Sequence, residues 1–264
     1  MKRKPGTNSA IYDHSFYESQ CERSLQSARR YVTHLWGVLQ PKSVLDVGCG
    51  RGAWLKSCHE LGANQLFGLD GDWNSQRLMI DDAIQFRSID LNTPFSIPQR
   101  VELTISVEVA EHLERKTAPQ FVQCLTDTSD AILFSAAYLN QGGMNHINER
   151  KHSYWAKLFA AHDFGPFDFF RPVFWGDSDI DFWYRQNVFL YVRKNSSEWR
   201  TVTSAGYKTM SSLDFMDCIH PDALRFRCDC RGENLGFKNH LLALGPSFVR
   251  AMRRRFSERR QVSR

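Results

Sequence analysis

The chain has 264 residues, 42% of them apolar and 13% aromatic, and a formal net charge of +5. That is enough apolar material for one domain of ordinary size plus an appendage, and no run approaches the roughly 18 apolar residues that a membrane-spanning helix needs. The basic start, Met1-Lys2-Arg3-Lys4-Pro5-Gly6, lacks the apolar segment of a secretory signal, so a cytoplasmic protein is expected.

Residues 24–39 place Leu25, Ala28, Val32, Leu35, Trp36 and Leu39 on one helical face, and Pro41 is expected to stop that helix. A strand-like run, Ser43–Val47, follows, then glycines alternate through Gly48-Cys49-Gly50-Arg51-Gly52, and a helix is expected over residues 53–61, closed by Gly62. Further strands are expected over residues 66–69 (ending at Asp70), 84–89 (ending at Asp90), 101–107 (followed by Glu108) and 131–135, with a helix near residues 119–126. Past Gly142-Gly143, residues 153–162 read as an amphipathic helix that Gly165-Pro166 ends, residues 167–170 as extended chain, and residues 188–192 as a buried strand. Strands alternating with helices predict an α/β fold with a doubly wound, mostly parallel, Rossmann-like sheet. The organisation expected is an N-terminal helical cap (1–42), a sheet domain (43–194) and a small C-terminal extension (195–264), where the pattern weakens into short polar stretches.

The ends differ from the body. Arg250, Arg253, Arg254, Arg255, Arg259, Arg260 and Arg264 crowd the last turns, a tail that reads as a solvated terminus or as a patch for nucleic acid or anionic lipid. Seven cysteines, an odd number, are scattered. Cys228-Asp229-Cys230 lacks the spacer and second pair of a zinc knuckle, so free thiols in a reducing compartment are expected.

The glycine loop lies between a strand and a helix, where open α/β sheets bind ligands and where backbone must turn sharply beside them. Gly48, Gly50 and Ala53 also satisfy the dinucleotide fingerprint, so the flanks decide. Asp46 stands two residues before the first glycine, where a carboxylate suits a cationic ligand such as S-adenosylmethionine. Asp70, about 20 residues after the glycines, is placed to take ribose hydroxyls. Asp90, in Ile89-Asp90-Leu91, is placed either to accept an adenine amino group or to start a turn, Gly52 can serve helix packing, and Trp73 covers the adenine or packs on the surface.

With Ile105-Ser106-Val107-Glu108-Val109-Ala110-Glu111-His112-Leu113 after the fourth strand, the set resembles the class I S-adenosylmethionine-dependent methyltransferases across residues 43–194. The resemblance implies that Asp46, Gly48, Gly50, Asp70, Asp90 and Leu91 bind the cofactor and that Ser106 or Val107 lies beside its methionine moiety. His14-Ser15-Phe16-Tyr17, Asn145-His146-Ile147-Asn148-Glu149 with Tyr154-Trp155, and Trp183-Tyr184-Arg185-Gln186-Asn187 are similar to a bacterial methyltransferase group that accompanies glycan or secondary-metabolite assembly. That likeness implies a small-molecule or saccharide acceptor.

On the acceptor side, Glu108, Glu111 and His112, with His146 from the next loop, have the composition of an oxygen-and-imidazole site for a divalent metal. The pattern resembles the metal cluster of small-RNA 2′-O-methyltransferases and of quinone-ring O-methyltransferases. It also reads as a helix start in which Glu111 and His112 cap and pack. His146, in a polar loop, is placed to act as general base or to orient the acceptor, with Glu108 beside it. Arg185 either holds an anionic group or makes a salt bridge, while Trp155 and Phe159 read as core.

Overall fold

The computed structural model describes residues 14–227, and side chains from Glu22 to Arg225. Lys2–Lys4, the Cys228–Cys230 pair and the arginine tail lie outside the described residues, as do the side chains of His14–Tyr17 and Cys21. Chain contacts divide after Ala223. Residues 195–223, the first part of the expected extension, belong to the same compact unit as the sheet.

Seven strands form one sheet in the order β3-β2-β1-β4-β5-β7-β6. The strands are β1 (Ser43–Val47), β2 (Gln65–Asp70), β3 (Ile84–Ser88), β4 (Leu103–Val107), β5 (Ala131–Ser135), β6 (Phe164–Phe167) and β7 (Phe189–Arg193). The first five run parallel, and β7 is antiparallel to both β5 and β6. Every residue of β1 and β5 is buried, as expected of parallel strands covered on both faces. The chain leaves β1 toward β2 on one side and reaches β4 on the other, so the loops after β1 and β4 part at a crevice at their carboxyl ends. That is the ligand position of an open α/β sheet.

Helices cover both faces. On one, α1 (His14–Trp36) packs its buried stripe, Ala28, Tyr31, Val32 and Leu35, against α2 (Ala53–Glu60) and the sheet. The spacing of that stripe is one helical face. On the other, α3 (Ala118–Thr128) and α4 (His152–Ala160) bury Phe121, Leu125, Trp155 and Phe159. Phe159 stacks on Tyr191 at 4.1 Å, which confirms the core reading of Trp155 and Phe159.

Three segments depart from the sequence reading. Gly165 and Pro166 do not end a helix: α4 stops at Ala160, and the pair lies inside β6. β6 is the edge strand of the sheet, with β7 on one side and the isolated Phe167–Thr209 bridge on the other, and an edge tolerates a residue without an N–H. The expected extended run after it instead leads into the short α5 (Arg171–Phe174). Third, the polar stretch beyond residue 195 contains α7 (Ser197–Ser204), capped by Ser196, whose Oγ accepts the Trp199 N–H at 3.0 Å. Trp199 sits edge-on to Phe167. No helix among the described residues is long and apolar enough to cross a membrane.

Candidate functional site

A cavity of about 1040 Å³ opens at the carboxyl ends of β1, β2 and β4. Its wall includes Gly48, Gly50, Asp70, Asp90, Leu91, Val107 and Glu108, bringing together most of the residues expected at a cofactor site. Asp46 and Ser106 are not on that wall. They are buried beside it, each with a side-chain oxygen that meets no hydrogen-bond partner.

Backbone geometry explains the glycines. Gly48 has φ +84°, and a Cβ there would sit 2.3 Å from Val109 Cγ2. At Gly50, φ is +52° and a Cβ would meet nothing within 4 Å, so the loop leaves open space where a side chain would project. Gly52 serves packing, because a Cβ would strike Ile84 Cδ1 at 2.4 Å.

Asp70 is fixed by two backbone amides: Gly50 N–H donates to Oδ2 and Gly71 N–H to Oδ1, each at 2.7 Å. Burial raises its carboxyl above the usual range, and those amides oppose the rise. Asp46 has weaker support, and burial, with the nearby Asp70 charge, pushes its carboxyl well above the ordinary value. Asp90 accepts the Asn92 N–H at 2.9 Å and so starts a turn, and it also lines the cavity. Trp73 lines the cavity too, 59% exposed. Buried Asn74 was not anticipated: its amide donates to the Gly50 carbonyl and holds the loop.

At the other end stand Glu108, His112, Leu113, Trp54, Ser24 and Tyr184. Ser24 from α1 and Tyr184 from α6 (Phe182–Asn187) join hydroxyls at 3.1 Å. Burial raises Tyr184 to about 12, so it is a neutral hydroxyl at ordinary pH. Glu108 has φ +57°, a conformation costly for a side chain with a Cβ. Ser135 Oγ donates to its Oε1 at 2.8 Å, and Asn187 Nδ2 donates at 3.1 Å. Burial raises the Glu108 carboxyl, and these two donors oppose the rise.

Glu111 is fully buried, yet neither carboxylate oxygen meets a donor in hydrogen-bonding geometry. Burial, then the Glu108 charge, lifts its carboxyl well above the usual value, and the nearby Glu111 and Ala137 amides oppose the rise only in part. Its backbone carbonyl accepts the N–H groups of Ile147 and Asn148, both at 2.9 Å, which docks the loop after β5 and brings His146 in. The His112 and His146 rings lie 4.9 Å apart, edge to face, and His146 Nδ1 lies 3.0 Å from Glu149 Oε1. One ligand atom each from Glu111, His112 and His146 falls within a mutual 4.8 Å. A buried acid short of well-aligned donors and facing two imidazoles fits a divalent cation, whose charge would favour its carboxylate form. Burial lowers the His112 value, as does His146, keeping that ring neutral and able to ligate.

Arg185 makes the salt bridge rather than facing the cavity, donating to Asp222 at 2.9 Å and to the Trp175 carbonyl at 3.2 Å. Cys49, Cys58, Cys124 and Cys218 are free thiols, as expected.

No protein-family model matches this chain, and no curated protein is detectably similar to it in sequence. Solved structures match in fold. S-adenosylmethionine-bound CalS10, an amino pentose methyltransferase from Micromonospora echinaspora, aligns at TM-score 0.52 and 10% identity over 71% of this chain and 100% of that one. The methyltransferase domain of bacterial CtHen1-C aligns at 0.50 and 15% identity over 65% and 98%. Human N-acetylserotonin methyltransferase aligns at 0.44 and 16% identity over 71% of this chain and 60% of that one, so the chain spans about three fifths of its length. The chain has the fold of the class I S-adenosylmethionine-dependent methyltransferases.

Proposed function

We propose that this protein is an S-adenosylmethionine-dependent methyltransferase that methylates an oxygen of a small-molecule or saccharide acceptor with the help of a divalent cation. One observation carries the reading: a single cavity joins the Gly50–Asp70–Asp90 end to the Glu108–His112 end. S-adenosylmethionine, when bound, supplies a methyl group on a positively charged sulfur. Asp70 and Asp90 are the groups for its ribose and adenine, and Asp46 supplies negative charge beneath the loop. Val107 closes the wall near the methionine end, with Ser106 behind it. The protein's work is then to align the acceptor oxygen and exclude water.

An alcohol acceptor must also lose its proton. Glu111, His112 and His146, with Glu108 at the rim, are the residues that would hold the cation, which would lower the acceptor's pKa. Without a cation, His146, braced by Glu149, is the base. The buried Glu111 side chain, short of well-aligned donors and close to both imidazoles, favours the first arrangement. The fold shared with CalS10, an amino pentose methyltransferase, agrees with a saccharide acceptor.

A second reading, RNA 2′-O-methylation, draws on the same acid-and-histidine cluster. Asp70, Asp72, Asp90 and Glu108 outnumber Arg51 on the cavity wall, which favours an acceptor without phosphates. Labelled-methyl transfer to a metabolite extract, with and without a chelator, tests the proposal. Label in a low-mass product that disappears with chelator supports it. Chelator-resistant transfer removes the cation, and label in RNA moves the reading to the second.

A further inference from the structure

The cavity needs Glu108 in a backbone conformation that is costly for it, and the groups that hold it there come from distant segments. Ser135, the last residue of β5, binds Glu108 twice: its Oγ accepts the Glu108 N–H at 3.0 Å and donates to Oε1 at 2.8 Å. Asn187, at the end of α6 and 1% exposed, donates through Nδ2 to Glu108 Oε1 at 3.1 Å and to Gln141 Oε1 at 3.0 Å. Its Oδ1 accepts from Gln186 Nε2 at 3.1 Å and lies 3.0 Å from His152 Nε2. Asn187 is therefore engaged on both sides of its amide and has no freedom to turn away. Gln141 is held in the same way, its Oε1 also accepting the Tyr138 N–H at 3.1 Å. A buried polar network survives only when its members are satisfied together, and this one ends on a carboxylate that opens onto the cavity.

We infer that Ser135 and Asn187 are positioning residues that fix the Glu108 carboxylate at the rim of the acid-and-histidine cluster, making the cluster competent to hold a divalent cation. This rests on the cation reading given above. Groups that orient a metal ligand are worth roughly 10- to 100-fold in metal affinity. If the pair served only the fold, its loss would disturb the cofactor end of the same cavity as much as the acceptor end.

The test measures Mn²⁺ binding and S-adenosylhomocysteine binding by calorimetry on the whole chain, for wild type, Ser135→Ala, Asn187→Ala and Asn187→Asp. Asn187→Asp keeps the side-chain size and replaces the donor facing Glu108 by an acceptor. The expected result is Mn²⁺ affinity weakened about 10-fold or more in the variants, with S-adenosylhomocysteine affinity within about two-fold of wild type. The visible spectrum of bound Co²⁺ is expected to change in the same variants. Mn²⁺ affinity within about two-fold of wild type in Ser135→Ala and both Asn187 variants overturns the inference and leaves the cation reading standing. Equal losses of both ligands in Ser135→Ala and the Asn187 variants overturn it in favour of a role in folding alone. Wild type that binds S-adenosylhomocysteine but not Mn²⁺ overturns the cation reading, and this inference with it.

Discussion

The two ends of the cavity are built by opposite means. At the cofactor end, Asp70 is satisfied by amides of the loops it touches, Gly50 and Gly71, and the strain falls on glycines that bear it cheaply. At the acceptor end, a glutamate takes the left-handed conformation, a second glutamate is buried with no well-aligned donor, only the nearby Glu111 and Ala137 amides, and the supports of the first come from β5 and α6. The first end is a cradle made largely of backbone, with buried Asp46 beneath it as its one strained acid. The second holds two acids that burial pushes toward their neutral forms, and a bound cation would favour their carboxylates.

This contrast can be broken most forcefully at Glu111. Glu111→Ala is expected to abolish Mn²⁺ binding and to lower methyl transfer by about 100-fold or more, while S-adenosylhomocysteine affinity stays within about two-fold. Parallel calorimetry and labelled-methyl assays check both halves. Equal loss at both ends would mean that Glu111 holds the fold and not a cation.

The mirror experiment is Asp70→Ala. Removing charge-assisted hydrogen bonds worth about 1.5–3 kcal/mol is expected to weaken S-adenosylmethionine by roughly 10- to 100-fold and to leave Mn²⁺ affinity alone. The same calorimetry decides it.

Asp46 sharpens the comparison through pH. Its folded-state carboxyl titrates above the unfolded value, so its contribution favours folding at low pH and is lost as pH rises through the folded-state value. Asp46→Asn is therefore expected to stabilise the cofactor-free protein by about 1–2 kcal/mol at pH 8, less at pH 5, and to weaken S-adenosylmethionine. Urea unfolding at the two pH values measures the first effect. A substitution that destabilises at pH 8 would show that the buried carboxylate has support in the fold.

The smallest effect is expected at Gly50. Gly50→Ala imposes about 1 kcal/mol of backbone strain at φ +52°, and its methyl group enters the open space of the loop. A lower melting temperature with several-fold weaker cofactor binding is the expected outcome, and unchanged binding would remove the loop from the cofactor's surroundings.

How much of this was legible in sequence follows the same division. The cofactor end is local: Asp46 through Gly52 are contiguous, and Asp70 meets Gly50 from only 20 residues away. The parallel sheet was legible too, because β5 is apolar from Ala131 to Phe134 and β1 is apolar from Val44 to Val47 but for Asp46. The acceptor end depends on contacts between residues 27 and 79 apart, and nothing in Trp183–Asn187 marks Asn187 as Glu108's partner. Glu108, Glu111, His112 and His146 were readable as a group by composition, whereas the orphaned state of Glu111 and the neighbouring rings needed the fold. Gly165-Pro166 misled because a breaker of helices is also an acceptable edge-strand pair. α7 went unread because its apolar contribution is little more than Val202 and Trp199, anchored by the Ser196 cap.

The central claim is that the Gly48–Gly50, Asp70 and Asp90 end of the cavity is a site for S-adenosylmethionine. Calorimetric titration of the purified chain with S-adenosylmethionine, and separately with NAD, tests it most directly. Saturable one-to-one binding of S-adenosylmethionine, weakened by Asp70→Ala, with no heat from NAD, is the expected result. Absence of S-adenosylmethionine binding at high micromolar concentration, or preference for the dinucleotide, would contradict it.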